Sequence, residues 1–179
     1  EHIIIETSGL ALPKPLVKAF EWPEIRSRVT VDGVVTVVDG PAVLAGRFAD
    51  DPVKLAAQRA ADPSVDHENP LEEVYEDQLL CADLVVLNKT DLLTPEETTQ
   101  VSDNIKANVP REIKIIATRE GKIPAGVLLG LSAAAEDDLA ARPSHHDDEE
   151  GHDHDDFESF IVEIPTLIAP SDLATRAKQ

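Results

Sequence analysis

Short apolar runs punctuate the chain, and each ends in a turn of polar or glycine residues. Residues 3–5 (Ile-Ile-Ile) end in Glu6-Thr7-Ser8-Gly9, and residues 34–38 end in Asp39-Gly40-Pro41. Residues 84–87 end in Asn88-Lys89-Thr90-Asp91, and residues 113–117 end in Thr118-Arg119. Continuous rather than alternating apolar runs predict parallel strands buried on both faces. The intervening stretches predict helices over 15–20, 41–48, 71–81 and 95–108. Thr94 before Pro95, with Glu97 three residues after it, is a capping-box pattern with proline at the first helical position. Strands separated by helices predict an α/β, doubly wound sheet with helices on its faces. Ligands of such sheets bind at the carboxyl ends of the strands, where all four turns fall.

One local pattern conflicts. Val29-Thr30-Val31, Asp32-Gly33, Val34-Val35-Thr36 is a hairpin signature, and it competes with a single buried strand after a turn. Residues 61–70 are polar and end in proline, which predicts a loop. Residues 142–156 hold Arg, Pro, Ser, Gly, four His and a run of acids, a composition that predicts a solvated linker with no packed core. Beyond it, residues 157–164 alternate like a half-buried strand and Ser171 caps a helix. The expected domains are 1–141, a linker over 142–156, and the start of a second domain over 157–179. A chain that opens at Glu1, contains no Met and begins on a core strand is read as lacking an upstream segment.

Charge narrows the functions. Thirty-five acids against 16 bases leave a net charge of −19, which opposes a nucleic-acid phosphate backbone or an anionic membrane. One Cys excludes an intramolecular disulfide. No apolar run approaches the roughly 18 residues of a membrane span, so the default expectation is a cytoplasmic protein.

Asn88-Lys89-Thr90-Asp91 carries the most specific chemistry. An Asp carboxylate can accept from both the N1–H and the 2-amino group of guanine. Adenine offers neither donor and leaves the carboxylate unpaired, at a cost of about 1–3 kcal/mol or more. In a strand-to-helix context the motif therefore reads guanine. At the end of the first run, Glu6 can hold Mg²⁺ through a water, and Gly9 lets a backbone N–H approach a γ-phosphate.

These segments resemble a known family. Residues 4–11 resemble the E-x-x-G segment of the P-loop GTPases that group CobW with the nickel-site maturation GTPases. Residues 35–40 resemble that family's next strand, and Gln78, Ala82-Asp83 and Asn88–Asp91 its Q-x-x-x-A-D…N-K-x-D block. The acidic His tract and Phe157-Glu158-Ser159-Phe160 are similar to the linker and first strand of the small α+β C-terminal domain of the CobW branch. The resemblance decides for a strand over the hairpin.

It implies a P-loop NTPase-type sheet and a cytoplasmic, GTP-hydrolysing metallochaperone using GTP and Mg²⁺. The cargo would be Co²⁺ or Zn²⁺: cobalt for cobalamin synthesis, delivered to a cobaltochelatase-like acceptor, or zinc as in related chaperones. Glu6 and Gly9 would serve catalysis. Asn88, Lys89 and Asp91 would hold guanine, with Thr118 and Arg119 in a further base-contacting loop. The 179 residues contain no G-x-x-x-x-G-K-[ST] and no C-x-C-C. The chain alone is therefore expected to be inactive.

His145, His146, His152 and His154 stand among carboxylates and suit loose collection of divalent transition metal, independent of nucleotide. A solvated acidic linker explains them equally, and a metal-buffering protein without turnover is the competing function. Asp66, His67 and Glu68 could add ligands or simply form a surface loop. Asp39 either lines the nucleotide site or caps the helix after it. Cys81, in an apolar helix, is expected to be a small core residue. His2 is assigned no role.

Overall fold

A computed structural model describes residues 2–48, 57 and 71–145. The chain divides into a unit over Glu1–Asp147 and a second over Asp148–Gln179; all described residues lie in the first. The expectations for residues 61–70 and 146–179 fall outside the described residues.

Three parallel strands form the sheet in the order β1-β2-β3: β1 Val35–Asp39, β2 Leu84–Asn88 and β3 Lys114–Ala117. The helices named among the described residues are α1 Pro13–Ala19, α2 Pro23–Arg26, α3 Gly40–Leu44, α4 Leu71–Cys81, α5 Pro95–Asn108 and α6 Ala125–Leu128. This is the α/β architecture expected from the alternation of runs. α4 and α5 have the expected bounds. Thr94 caps α5 with the full box: its hydroxyl accepts from Glu97 N at 3.2 Å, and Glu97 accepts from Thr94 N at 2.8 Å.

The core forms around β2, whose first four residues are buried, as a continuous Leu-Val-Val-Leu run requires when both neighbouring strands are paired. Val38, Leu79, Val101, Ile105 and Ile113 close around it. Each such side chain contributes about 1.5–3 kcal/mol on burial.

Several expectations are corrected. Residues 3–5 form no strand, and Ile3, Ile4 and Ile5 are 74%, 81% and 55% exposed. A strand needs a ladder partner, and none of the described strands pairs with this segment. β1 is not buried on both faces: it alternates, with Val37 66% exposed and Val38 2%. α3 stops at Leu44 rather than continuing to 48. Gly46, at φ 65°, ends it in a Schellman turn, with Arg47 N donating to Ala42 O and Gly46 N to Val43 O.

The hairpin does not form. The Asp32 carboxylate instead accepts from the backbone N–H groups of Gly130, Leu131 and Ser132 at 2.6, 3.2 and 2.9 Å. Those bonds, the Ser132 one foremost, hold its carboxyl below the usual range.

The linker expected from 142 differs at its first residue. Arg142 is 1% exposed; it donates to Cys81 O and reaches Asp83 Oδ1 at 2.6 Å. Asp83 in turn accepts from Val34 N at 2.8 Å, locking the entries to β1 and β2 together.

Candidate functional site

Parallel register brings the chemistry-bearing turns to one end of the sheet. Asp39 pairs with Asn88 across β1 and β2, and Leu87 with Ala117 across β2 and β3. Asn88 Oδ1 accepts from Gly121 N at 3.0 Å, which ties the 119–122 turn to the end of β2. Lys89 follows at φ 59°, a left-handed conformation uncommon for a side-chain-bearing residue. The chain turns there into a short 3₁₀ segment, Thr90–Leu92. Thr90 N and Oγ1 both donate to Thr118 O, at 3.1 and 2.9 Å. Thr118 N donates to Leu87 O at 2.8 Å, and its hydroxyl is committed to Lys122 O at 2.9 Å. Thr118 is thus a buried pin for the loop. Arg119 is exposed beside it.

The pinned loop presents Asp91 to solvent, without a hydrogen-bond partner among the described residues. An exposed, acceptor-only carboxylate on a braced turn fits the two adjacent donors of guanine. Asp39 does two things. Its Oδ1 accepts from Ala42 N at 3.0 Å, capping α3, and its Oδ2 holds Lys89 Nζ at 2.5 Å. The cap and the site-lining reading are therefore compatible. Gly40 supports the same corner: a Cβ there would lie 2.8 Å from Leu93 Cδ1 and 3.1 Å from Asn88 O. Sequence reasoning assigned Gly40 no role, because the contact that requires it is long-range.

Glu6 and Gly9 lie on the irregular N-terminal segment, both exposed. A Cβ on Gly9 would meet nothing within 4 Å, so the chain itself does not demand glycine there; a closely approaching ligand would. One exposed carboxylate at Glu6 suits Mg²⁺, which takes one or two carboxylates and relies on phosphates and waters for the rest. Gln78 fixes this segment from α4, donating from Nε2 to Gly9 O at 2.9 Å and Ala11 O at 3.1 Å. The Q-x-x-x-A-D spacing marked Gln78 in the sequence without revealing this job. A cavity of about 290 Å³ borders Gly9, Asp39, Tyr75 and Gln78. Burial, and secondarily Glu76, pushes the Tyr75 phenol up to about 12.

Among the described residues no three His, Cys, Asp or Glu are placed to hold a metal. Cys81 is 2% exposed and burial pushes its thiol up, as befits a core residue rather than a thiolate ligand. His145 is docked on α4: its Nε2 lies 2.8 Å from Glu76 Oε2, and its N–H donates to Asp77 Oδ1 at 2.9 Å. Ser144 Oγ donates to Asp77 Oδ2 at 2.8 Å. His2 is exposed. His146, His152, His154, Asp66, His67 and Glu68 lie outside the described residues. No described helix is long and apolar enough to cross a membrane.

Residues 1–117 match the CobW/HypB/UreG nucleotide-binding domain. A zinc chaperone CobW of Sinorhizobium sp is 53% identical over 182 residues, covering 99% of this chain and 51% of that protein. The zinc chaperone CobW of Pseudomonas aeruginosa is 55% identical over 149 residues, 83% of this chain and 40% of the relative. A zinc-regulated GTPase metalloprotein activator 1 of Saccharomyces cerevisiae is 33% identical over 140 residues, 74% of this chain and 30% of the relative. The chain thus spans about half the length, or less, of the curated relatives it matches. No solved structure matches it. A parallel α/β sheet, a braced Asn-Lys-Thr-Asp loop at its carboxyl end and a family match over most of the sheet lead to one conclusion: the chain belongs to the CobW/HypB/UreG family of P-loop nucleotide-binding domains.

Proposed function

We propose that this chain is the guanine-reading part of a GTP-hydrolysing metallochaperone that hands a divalent metal to an acceptor protein in the cytoplasm. The presentation of Asp91 carries the reading. A carboxylate on a loop braced by Asn88–Gly121 and Thr90–Thr118 can pair with guanine at little further ordering cost. In this reading Asn88 holds the loop, Lys89 swings from Asp39 to lie along the base, and Thr118 keeps Thr90 and Asp91 in place. Gly9 gives its N–H to the γ-phosphate. Glu6 would hold Mg²⁺ through a water, and the ion would supply charge neutralisation on the phosphates.

The proposed cargo is zinc, supported by the names of the bacterial relatives. Cobalt, expected from the sequence resemblance, is the alternative, to be decided by competition between the two ions. His145, His146, His152 and His154 are proposed as an auxiliary collector on a linker before a C-terminal domain. The chain alone, without a G-x-x-x-x-G-K-[ST] loop, is proposed not to hydrolyse GTP.

Asp91→Asn in the full-length protein tests the reading. The new amide donates where the carboxylate accepted, so it suits the 2-oxo group of xanthine. GTP affinity should fall about fivefold to a hundredfold, the equivalent of about 1–3 kcal/mol for a polar group left unpaired in the complex, while XTP affinity rises. An unchanged GTP-to-XTP ratio sinks the proposal.

A further inference from the structure

Two consecutive residues of the Asn88–Asp91 loop are tied to opposite neighbours of β2. Asn88 Oδ1 accepts from Gly121 N, in the turn after β3, whereas Lys89 Nζ donates to Asp39 Oδ2, at the end of β1. Asp39 is itself held in place. Its Oδ1 accepts from Ala42 N at 3.0 Å, and its backbone is in register with Asn88. The carboxylate cannot follow a departing ammonium without giving up the cap on α3. The cap does not require the charge, because Asn and Ser serve as well at that position. What a carboxylate adds over them is a full negative charge facing Lys89. The two side chains of the pair are 41% and 26% exposed, so water can take the place of either partner and the contact is reversible.

We propose that Asp39 is a positioning residue that competes with guanine nucleotide for Lys89 and thereby lowers the affinity of the site. The inference rests on the functional reading above, in which Lys89 leaves Asp39 to lie along the base. If Lys89 has to leave, binding exchanges one contact of its side chain for another, and only the difference between them favours the complex. A carboxylate fixed by its cap makes the contact given up stronger than a neutral side chain would. The role is therefore separable from the cap: substitutions that keep an acceptor for Ala42 N and remove the charge leave α3 started and release Lys89 from this partner. Because the pair is part-exposed, its effect on affinity is modest and is screened by salt. Asp39 acts only through Lys89, so the two residues are energetically coupled in nucleotide binding.

The test is the affinity of the full-length protein for GDP carrying a fluorescent ribose label, with Mg²⁺, titrated at low and high salt. Asp39→Asn should tighten binding about twofold to fivefold at low salt, the range of a part-exposed ion pair, and the gain should shrink as salt rises. Asp39→Ser, which caps α3 but cannot span to Lys89, should give the same gain. In a Lys89→Met background, where nothing is left to compete for, Asp39→Asn should change the affinity little. Unchanged or weaker binding by both Asp39 variants overturns the inference. So does a gain that persists undiminished beside Lys89→Met, which would mean that Asp39 repels the phosphates directly. The GTP-to-XTP ratio of Asp91→Asn is measured alongside. If that ratio shifts while the Asp39 variants bind like the parent, the inference falls alone; if it does not shift, the functional reading falls and takes this inference with it.

Discussion

Asp83 is the counter-charge of the buried Arg142. Its side chain is 11% exposed and that of Arg142 1%. The carboxylate accepts from Arg142 at 2.6 and 3.2 Å and from Val34 N at 2.8 Å, and Arg111 Nη1 lies 3.6 Å away. Asp83→Ala leaves one guanidinium buried without its counter-charge and the Val34 N–H without its acceptor. Breaking a buried pair in that way costs about 3–5 kcal/mol. Arg142→Met keeps most of the apolar stem and leaves Asp83 with Arg111 and Val34 N–H. Its cost should be nearer the about 1.5–3 kcal/mol of hydrogen bonds to a charged group. The double variant should cost less than the sum of the two, because the second change removes a group the first left unpaired. Urea unfolding followed by fluorescence of Trp22, the one tryptophan, measures all three. A loss below about 1 kcal/mol for Asp83→Ala, or strict additivity in the double variant, would refute the assignment of Arg142 to the core of this unit.

Two further outcomes follow from the site. Gly40→Ala places a methyl group 3.1 Å from the Asn88 carbonyl, so guanine affinity should fall several-fold at a stability cost of about 1–3 kcal/mol; an unchanged affinity by equilibrium titration would show that the corner yields without moving Asn88. Tyr75 is the one tyrosine, and its folded phenol stands near 12 against 10.0 unperturbed. A raised value means that its contribution to stability is complete below pH 10 and is lost as pH climbs through about 12. Phenolate absorbance of the native protein should show that late midpoint, and one near 10 would place the phenol in water.

The sequence was most legible where the causes are local. α5 carries its own start signal in Thr94, Pro95 and Glu97, and β2 is apolar enough to be central in any sheet. The Asn88–Asp91 loop was legible for the same reason: strand, motif and following helix are contiguous. What local rules left open or missed has a different origin. They could not choose between hairpin and strand at Asp32-Gly33, where the resemblance favoured the strand that forms; the Asp32 carboxylate is claimed by N–H groups about a hundred residues away, beyond any local rule. Arg142 opens a stretch of solvated composition, and distant partners, Asp83 and the Cys81 carbonyl, draw it inside. Residues 3–5 have strand composition, but composition cannot supply a neighbour. Gln78 was visible as part of a motif, yet its partners are backbone carbonyls, which leave no trace in residue identity.

The uncovered apolar positions at Ile3, Ile4, Ile5, Val35 and Val37 bear on the colloidal behaviour of the chain. Among the described residues β1 has a strand neighbour on one side only, so its other backbone edge and these side chains offer a template for association between molecules. A net charge of −19 opposes that association by mutual repulsion. The repulsion reaches far at low ionic strength but only about 8 Å at physiological salt. Long-range charge therefore opposes short-range association of these apolar positions, and added salt should weaken that opposition.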